Sequence, residues 1–244
     1  MSEQVREMFS SIATRYDLTN VVLSFGVDRW WRHVTVRTAR TGPGMRVLDC
    51  ATGTGDLALA FRRTGAEVVG TDFCAPMLGP AREKARAAGL EVTFEVADAM
   101  ALPYPDRSFD VASISFGIRN VDDPVTCLRE MARVVKPGGQ VLVLEFGQPR
   151  GPWGAMYRFY SRVVMPAVGG LLTGNRAAYQ YLPRTAAAFP GGDRFLELMD
   201  RSGAFRERSA RAFTGGITWL YRGVVAGTDR QRGNPPGVIG SGGG

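Results

Sequence analysis

An acidic residue precedes a glycine-rich turn at the point where a strand-like run gives way to a helical one, and a second acidic residue follows at the end of the next strand-like run. Asp49 lies in the apolar run RVLDC, and Gly53, Thr54 and Gly55 follow it directly. Glycines at such a turn let the backbone bend tightly and let a ligand approach closely. Asp72 ends the next strand-like run, where its carboxylate can accept hydrogen bonds from both hydroxyls of a ribose. The spacing therefore predicts a site for a nucleoside-containing cofactor.

The elements that must position these residues follow an alternating pattern. Strand-like apolar runs occupy residues 46–50, 67–72, 91–96, 110–116 and 140–146, and helical stretches occupy residues 55–64, 75–88 and 124–135. Parallel strands need long crossover connections, which helices supply. The pattern predicts a doubly wound α/β sheet with its ligand site at the carboxyl ends of the strands.

The pattern changes after residue 146. We expect a helical insertion over residues 149–190, a helix over 193–202, and two last strands over 204–213 and 216–225. Residues 226–244 are rich in Gly, Pro and polar residues, which predicts a disordered tail. The chain is thus interpreted as a single domain over residues 1–225.

Composition narrows the function classes. With 244 residues, 45% of them hydrophobic, the chain can bury one sizeable core. No apolar stretch is long enough to span a membrane, and the first residues lack the features of a signal peptide, so we expect a cytoplasmic protein. Three cysteines without metal-ligand spacing and a single histidine predict no metal site. The net charge of +7 could attract either RNA or the anionic inner face of a membrane.

The same glycine loop occurs in dinucleotide enzymes, but no tyrosine here has the lysine four residues on that short-chain dehydrogenases use. The chain instead resembles S-adenosylmethionine-dependent methyltransferases, which have an acidic residue ahead of the glycines and an Asp-Ala pair after the third strand. Asp98 and Ala99 match that pair, and the resemblance places Asp98 near the adenine amino group. Ser115 is predicted to join the cofactor-binding set. This likeness implies a Rossmann-like class I fold with a mostly parallel seven-stranded sheet.

Several segments resemble the ubiquinone/menaquinone C-methyltransferase family more specifically. They are YDLTNVVLSFGVDRWW (16–31), ISFGIRNV (114–121), RVVKPGGQVLVLEFG (133–147), YQYLP (179–183) and TGGI (214–217). Ala51 replaces the first glycine of the general loop, and Gly147 stands where the family usually has serine. The resemblance implies that residues 1–42 form a helical lid, with Tyr16 and Asn20 near cofactor and substrate.

The resemblance also implies methylation of a polyprenylated quinol ring. Because no histidine or lysine is available at the expected positions, Arg119 and Asn120 are predicted to be catalytic. Arg119 would stabilise phenolate charge, and Asn120 would hold a water that carries the proton. An ion pair of Arg119 with Asp122 or Asp123 is the structural alternative.

The aromatic residues and arginines of the 149–172 segment suggest an apolar groove for the prenyl tail and peripheral contact with the inner face of the membrane. Nucleic acid is not an expected partner, because the chain has no room for an added RNA-binding module. A homodimer, the choice between naphthoquinol and benzoquinol, and another aromatic or natural-product acceptor stay open. A non-catalytic cofactor-binding module is the third alternative, disfavoured by Arg119 and Asn120.

Overall fold

The strand-like runs assemble into one seven-stranded sheet of order β3-β2-β1-β4-β5-β7-β6. The computed structural model describes residues 16–173 and 175–227. Neighbouring strands are parallel from β3 through β5, whereas β7 pairs in antiparallel fashion with both β5 and β6. The strands are β1 (Arg46–Cys50), β2 (Glu67–Asp72), β3 (Thr93–Val96), β4 (Phe109–Ser115), β5 (Val135–Phe146), β6 (Phe205–Phe213) and β7 (Thr218–Val225). The mostly parallel α/β sheet predicted from the sequence is confirmed.

Helices cover both faces of this sheet and extend beyond it. They are α1 (Tyr16–Ser24), α2 (Val27–Ala39), α3 (Asp56–Arg62), α4 (Leu78–Ala87), α5 (Pro124–Val134), α6 (Gly151–Phe159), α7 (Met165–Thr173), α8 (Arg176–Ala188) and α9 (Asp193–Ser202). A π-helical turn (Tyr160–Val164) joins α6 to α7, and short 3-10 turns cover Ala75–Met77, Ile118–Asn120 and Thr214–Gly216. Within the described chain no helix is both long and apolar enough to cross a membrane.

Alternate residues of the central strands feed two hydrophobic cores. Val47 belongs to the core that contains Phe61, whereas its neighbour Leu48 belongs to the core that contains Phe195. Successive side chains of a strand point to opposite faces, and parallel strands are covered on both. The fully buried centre fixes the carboxyl ends of β1, β2 and β4 at one edge of the sheet.

The connection into β5 differs from its predicted form. The strand was predicted over residues 140–146, but β5 begins at Val135 and its pairing with β4 shifts register between Phe109 and Val111. A side chain at Gly139 would lie 2.5 Å from the Asp110 carbonyl oxygen. Glycine therefore permits a bulged strand here.

Candidate active site

A cleft opens at the carboxyl ends of the parallel strands, where open α/β sheets hold ligands. We call it the glycine-loop cleft. Five of the predicted cofactor-binding residues line it, namely Gly53, Asp72, Asp98, Ala99 and Ser115. Its other lining residues are Ala51, Phe73, Cys74, Met77, Ala97, Phe116, Gly117, Asn120 and Val121.

The loop after β1 owes its shape to residues with positive φ. Ala51 has φ 48°, Gly53 has φ 56° and Gly55 has φ 83°. Left-handed backbone costs an alanine about 1–2 kcal/mol, so surrounding contacts must hold Ala51 in place. A side chain added at Gly117 would lie only 2.5 Å from the Ala51 Cβ. Gly117 therefore allows the chain after β4 to close against this loop.

Asp72 is the buried acid of the cleft, with 7% of its surface exposed. Its Oδ2 accepts a hydrogen bond from the Gly53 N–H at 2.8 Å, and its Oδ1 accepts one from the Cys74 N–H at 2.8 Å. Burial raises the pKa of this carboxyl, and the two backbone bonds oppose the rise. Because each carboxylate oxygen can accept more than one bond, Asp72 keeps capacity for ribose hydroxyls.

Asp49 holds the loop and does not line the cleft. Its Oδ2 accepts from the Thr52 hydroxyl at 2.6 Å, and its Oδ1 accepts from the Ser113 hydroxyl at 2.7 Å. Burial is the largest influence on this carboxyl and raises its pKa to about 6. The geometry makes Asp49 a link between the loop and β4.

Thr54 and Gly55 also lie behind the cleft. Thr54 is buried, and its hydroxyl accepts a bond from Lys84 Nζ at 3.1 Å. A Cβ at Gly55 would lie 3.0 Å from the ring of Phe94. Both residues therefore shape the start of α3 from the side that faces α4 and β3.

The other predicted cofactor-binding residues that line the cleft are Asp98, Ala99 and Ser115. Asp98 Oδ1 accepts from the Met100 N–H at 2.9 Å, which fixes the turn after β3. Ala99 is buried. The Ser115 hydroxyl is buried and has no hydrogen-bond partner among the described residues. An unsatisfied buried hydroxyl is costly, so the cleft fits a ligand with polar atoms at this point.

A second space, the apolar cavity, adjoins the first and has a volume of about 350 Å³. It is enclosed by α1, α2, the ends of β4 and β5, and the inserted helices. The lining residues are Leu23, Ser24, Phe25, Val27, Asp28, Trp31, Arg32, Phe116, Arg119, Phe146, Trp153, Met156, Tyr157, Tyr160, Met165, Leu182, Thr214 and Ile217. Phe116 lines both spaces, so the cleft and the cavity meet at this residue.

The 3-10 turn after β4 presents its two predicted catalytic residues to different spaces. Arg119 lines the apolar cavity, whereas Asn120 lines the glycine-loop cleft. The Asn120 Oδ1 accepts a hydrogen bond from the Tyr181 hydroxyl of α8 at 3.2 Å. Helix α8 of the predicted insertion thus contacts the turn, and the turn links the cleft with the cavity.

Arg119 makes an ion pair that differs from either pair considered in the sequence. Its Nη1 lies 2.6 Å from Glu145 Oε1 and donates a second bond to the Phe116 carbonyl at 2.6 Å. The guanidinium lies over the Phe146 ring, 5.3 Å from its centroid. Asp123 instead caps α5 by accepting from the Val125 N–H. Arg119 is therefore held at the end of β5 with its side chain 2% exposed.

Helix α2, which lies in the segment predicted to form a lid, brings a second ion pair to the apolar cavity. Arg32 Nη1 lies 2.5 Å from Asp28 Oδ2, and Asp28 Oδ1 accepts from the Ser24 hydroxyl at 2.6 Å. Arg32 also lies 3.4 Å from Asp56, the first residue of α3. Arg32 therefore links α2 to α3, the helix that follows the glycine loop.

Tyr16 and Asn20 lie on α1, but their side chains are outside the described part of the structure. The last turn of this helix reaches the apolar cavity through Leu23, whose carbonyl accepts a bond from the Tyr160 hydroxyl at 2.8 Å. Residues 1–15 of the predicted lid and 228–244 of the predicted tail also lie outside the described residues.

Two side chains of this site, Glu145 and Tyr181, were not singled out from the sequence, whereas Tyr157 belongs to the aromatic residues of 149–172 that were predicted to form an apolar groove. Glu145 ends an otherwise apolar run, and an acid at the carboxyl end of a buried strand is the signal that could have found it. Tyr157 lines the cavity beside Arg119, and burial raises its pKa to about 12. Gly147, the departure from the family pattern, lies under Trp219, because a Cβ there would be 2.4 Å from the indole ring.

Comparison with known proteins gives the chain its family. A model described as the ubiE/COQ5 methyltransferase family matches residues 1–225. Ubiquinone/menaquinone biosynthesis C-methyltransferase UbiE of Bdellovibrio bacteriovorus is 54% identical over 227 residues, covering 91% of this chain and 96% of that protein. Demethylmenaquinone methyltransferase of Thermus thermophilus is 52% identical over 199 residues, covering 80% and 90%.

Two solved structures show the same fold at low sequence identity. An S-adenosylmethionine-dependent methyltransferase from Thermotoga maritima matches with a TM-score of 0.63 at 21% identity, covering 89% of this chain and 98% of that one. Another from Aquifex aeolicus matches with a TM-score of 0.55 at 18% identity, covering 80% and 89%. With a family model spanning residues 1–225 and relatives more than half identical over most of its length, the chain belongs to the ubiE/COQ5 methyltransferase family.

Proposed function

We propose that this chain transfers the methyl group of S-adenosylmethionine to a ring carbon of a reduced, prenylated quinol, with demethylmenaquinol the favoured acceptor. The observation that carries the proposal is the meeting of the glycine-loop cleft and the apolar cavity at Phe116. A polar cofactor and an aromatic acceptor would meet at this residue. The relatives' names, demethylmenaquinone methyltransferase and ubiquinone/menaquinone C-methyltransferase, support that acceptor class.

The cleft would hold the cofactor by its polar groups. Asp72 would accept ribose hydroxyls, Asp98 and Ala99 would lie beside the adenine, and the unpartnered Ser115 hydroxyl would make a further polar contact. Asp49, Thr54 and Gly55 would support the loop from behind. The bound cofactor supplies an electrophilic methyl group, and a large part of catalysis is then the alignment of the acceptor carbon with it.

The cavity would activate the acceptor. A quinol ring carbon becomes nucleophilic when a neighbouring hydroxyl loses its proton, and the resulting negative charge needs a fixed partner. Arg119 lines the cavity and supplies that charge. No histidine or lysine is among the described lining residues of either space, so a water held by Asn120 would carry the proton. Tyr16 and Asn20 would complete the lid that excludes water.

The surface around the cavity supports contact with a membrane. Phe25 is 81% exposed beside the cavity, and Phe159 and Leu171 on the inserted helices are 64% and 86% exposed. Arg158 and Arg162 are exposed on the same insertion. Apolar side chains flanked by arginines suit an anionic lipid surface, from which a prenylated quinol could enter the cavity.

Label transfer tests the acceptor. Purified protein with methyl-labelled cofactor is offered demethylmenaquinol, the demethylated benzoquinol and bulk RNA, each with and without reductant. We expect label on the quinols only under reducing conditions, because the ring carbon of a quinone is electrophilic and cannot attack the methyl group. Equal transfer to the oxidised ring would contradict the proposal, and transfer to RNA alone would replace it.

Vesicle sedimentation tests the membrane contact. Phe25→Ser combined with Leu171→Ser should weaken binding to vesicles that contain anionic phospholipid, and added salt should weaken it further. Val96→Ser is the matched control, because Val96 is 57% exposed on the distant strand β3. Equal binding by all variants would remove the membrane from the proposed function.

A further inference from the structure

Glu145 is the penultimate residue of β5, next to the cavity-lining Phe146, and is 1% exposed. Its Oε1 accepts bonds from Arg119 Nη1 at 2.6 Å and from the Phe146 N–H at 2.7 Å. Phe116, whose carbonyl takes the second Arg119 bond, is itself tied to β5 by its N–H to the Leu144 carbonyl at 2.7 Å. Backbone and carboxylate thus fix one end of the guanidinium in a single orientation.

The opposite side of the guanidinium is less satisfied. Nη1 makes both bonds, whereas Nε is buried and has no acceptor among the described residues. Glu145 Oε2 is also buried without a partner there. Burying a polar or charged atom without a hydrogen-bond partner is costly. The two unpartnered atoms of this buried pair therefore need an explanation. A ligand oxygen in the cavity would satisfy Arg119, and Glu145 is placed to orient it for that contact.

We propose that Glu145 is a positioning residue that aims Arg119 at the acceptor's hydroxyl and moderates the positive charge felt there. The inference rests on the proposed function. An isolated arginine would attract anions of any kind into the cavity, whereas the neutral pair Arg119–Glu145 admits an uncharged quinol. The remaining attraction acts as the hydroxyl loses its proton, which is where transition-state stabilisation is effective.

Other ionisable groups around the pair do not duplicate its effect. They are Tyr157 of α6, Tyr181 of α8 and Tyr221 of β7, with Asp28 and Arg32 of α2 on the cavity wall. Burial raises the pKa of each of the three tyrosines, which keeps them uncharged near neutral pH. Asp28 and Arg32 pair with each other. Glu145 is therefore the carboxylate that directly offsets Arg119.

The test separates charge from orientation. Glu145→Gln keeps an oxygen that can accept from Arg119 and Phe146 but removes the negative charge. The acceptor hydroxyl should then ionise more easily, moving the acidic limb of the kcat–pH profile about one unit lower, since one nearby charge typically shifts a pKa by that order. Glu145→Ala removes the acceptor as well, and kcat should fall roughly tenfold to a hundredfold with little change in cofactor affinity.

Glu130→Gln is the matched control, because Glu130 pairs with Arg133 on α5 outside both spaces. It should leave the pH profile in place. An unchanged profile in Glu145→Gln, or a loss of folding and cofactor binding together with activity in that variant, would overturn the positioning role. Failure of the unaltered protein to methylate any quinol would overturn the proposed function itself and this inference with it.

Discussion

Replacing Asp72 with asparagine should separate cofactor recognition from loop structure. The carboxylate accepts one backbone N–H on each oxygen, from Gly53 and Cys74. An asparagine oxygen can keep one of these bonds, but its amide N–H₂ must face the other donor. The loss should cost roughly 1–3 kcal/mol of stability. Because burial already raises the pKa of Asp72, removing the charge recovers part of this cost, and the lower end of that range is expected.

We expect the substitution also to lower the affinity for the cofactor, as an effect separate from the loss of stability. Ribose hydroxyls would lose a charge-assisted acceptor, worth roughly 1.5–3 kcal/mol, which corresponds to about a tenfold to hundredfold weaker Kd. Calorimetry of cofactor binding and thermal unfolding measure the two effects. Asp110→Asn is the matched control, because Asp110 Oδ2 accepts from the Arg46 N–H at 2.8 Å at the opposite edge of the sheet. A folded Asp72→Asn with unchanged Kd would refute the cofactor role.

Three further changes test other parts of the site. Arg119→Ala should lower turnover in the label-transfer assay roughly a hundredfold with cofactor Kd unchanged, and Arg119→Lys should restore little, because lysine lacks the planar fork; joint loss of stability and cofactor binding would make Arg119 structural. The folded-state pKa of Asp49, about 6, exceeds its ordinary value of 3.8, so its stabilising contribution is complete below about pH 4 and lost as pH rises through 6. Asp49→Asn removes this loss, so urea unfolding should show the variant gaining about 2 kcal/mol on the unaltered protein between roughly pH 4 and 6, and a constant difference over that range would count against the buried charge. Gly147→Ser should lower the melting temperature, because Trp219 occupies the space of its side chain, at a cost of about 1–3 kcal/mol; Gly79→Ser, with open space around it, is the control, and equal melting temperatures would show that the indole moves aside.

The local parts of the site could be predicted from the sequence, because each lies within one strand and the turn that follows it. The run RVLDC, the glycines after it and Asp72 need only short-range reasoning to place them at the edge of the sheet. Ser113 was not recognised as a partner of Asp49, because the two meet through the pairing of β1 with β4, 64 residues apart in the chain. The cofactor contact of Asp49 stays a prediction beside these two observed bonds to the loop and to β4.

The partner of Arg119 could not be predicted for a similar reason. Asp122 and Asp123 are close in sequence, but helix α5 uses Asp123 as its cap. Glu145 is reached only because β4 and β5 are neighbours in the sheet, which brings their carboxyl ends together. The apolar run around Glu145 is typical of a buried strand. It carried no information about which cation would share that burial.

The position of Phe116 has a kinetic consequence. This one residue lines both the cleft beside the glycine loop and the apolar cavity bordered by α1. Under the proposed function, the methyl donor and the acceptor would occupy two adjoining spaces, so neither would have to leave before the other binds. The order of binding could then follow the supply of each reactant, which would suit a reaction between a water-soluble donor and an apolar acceptor.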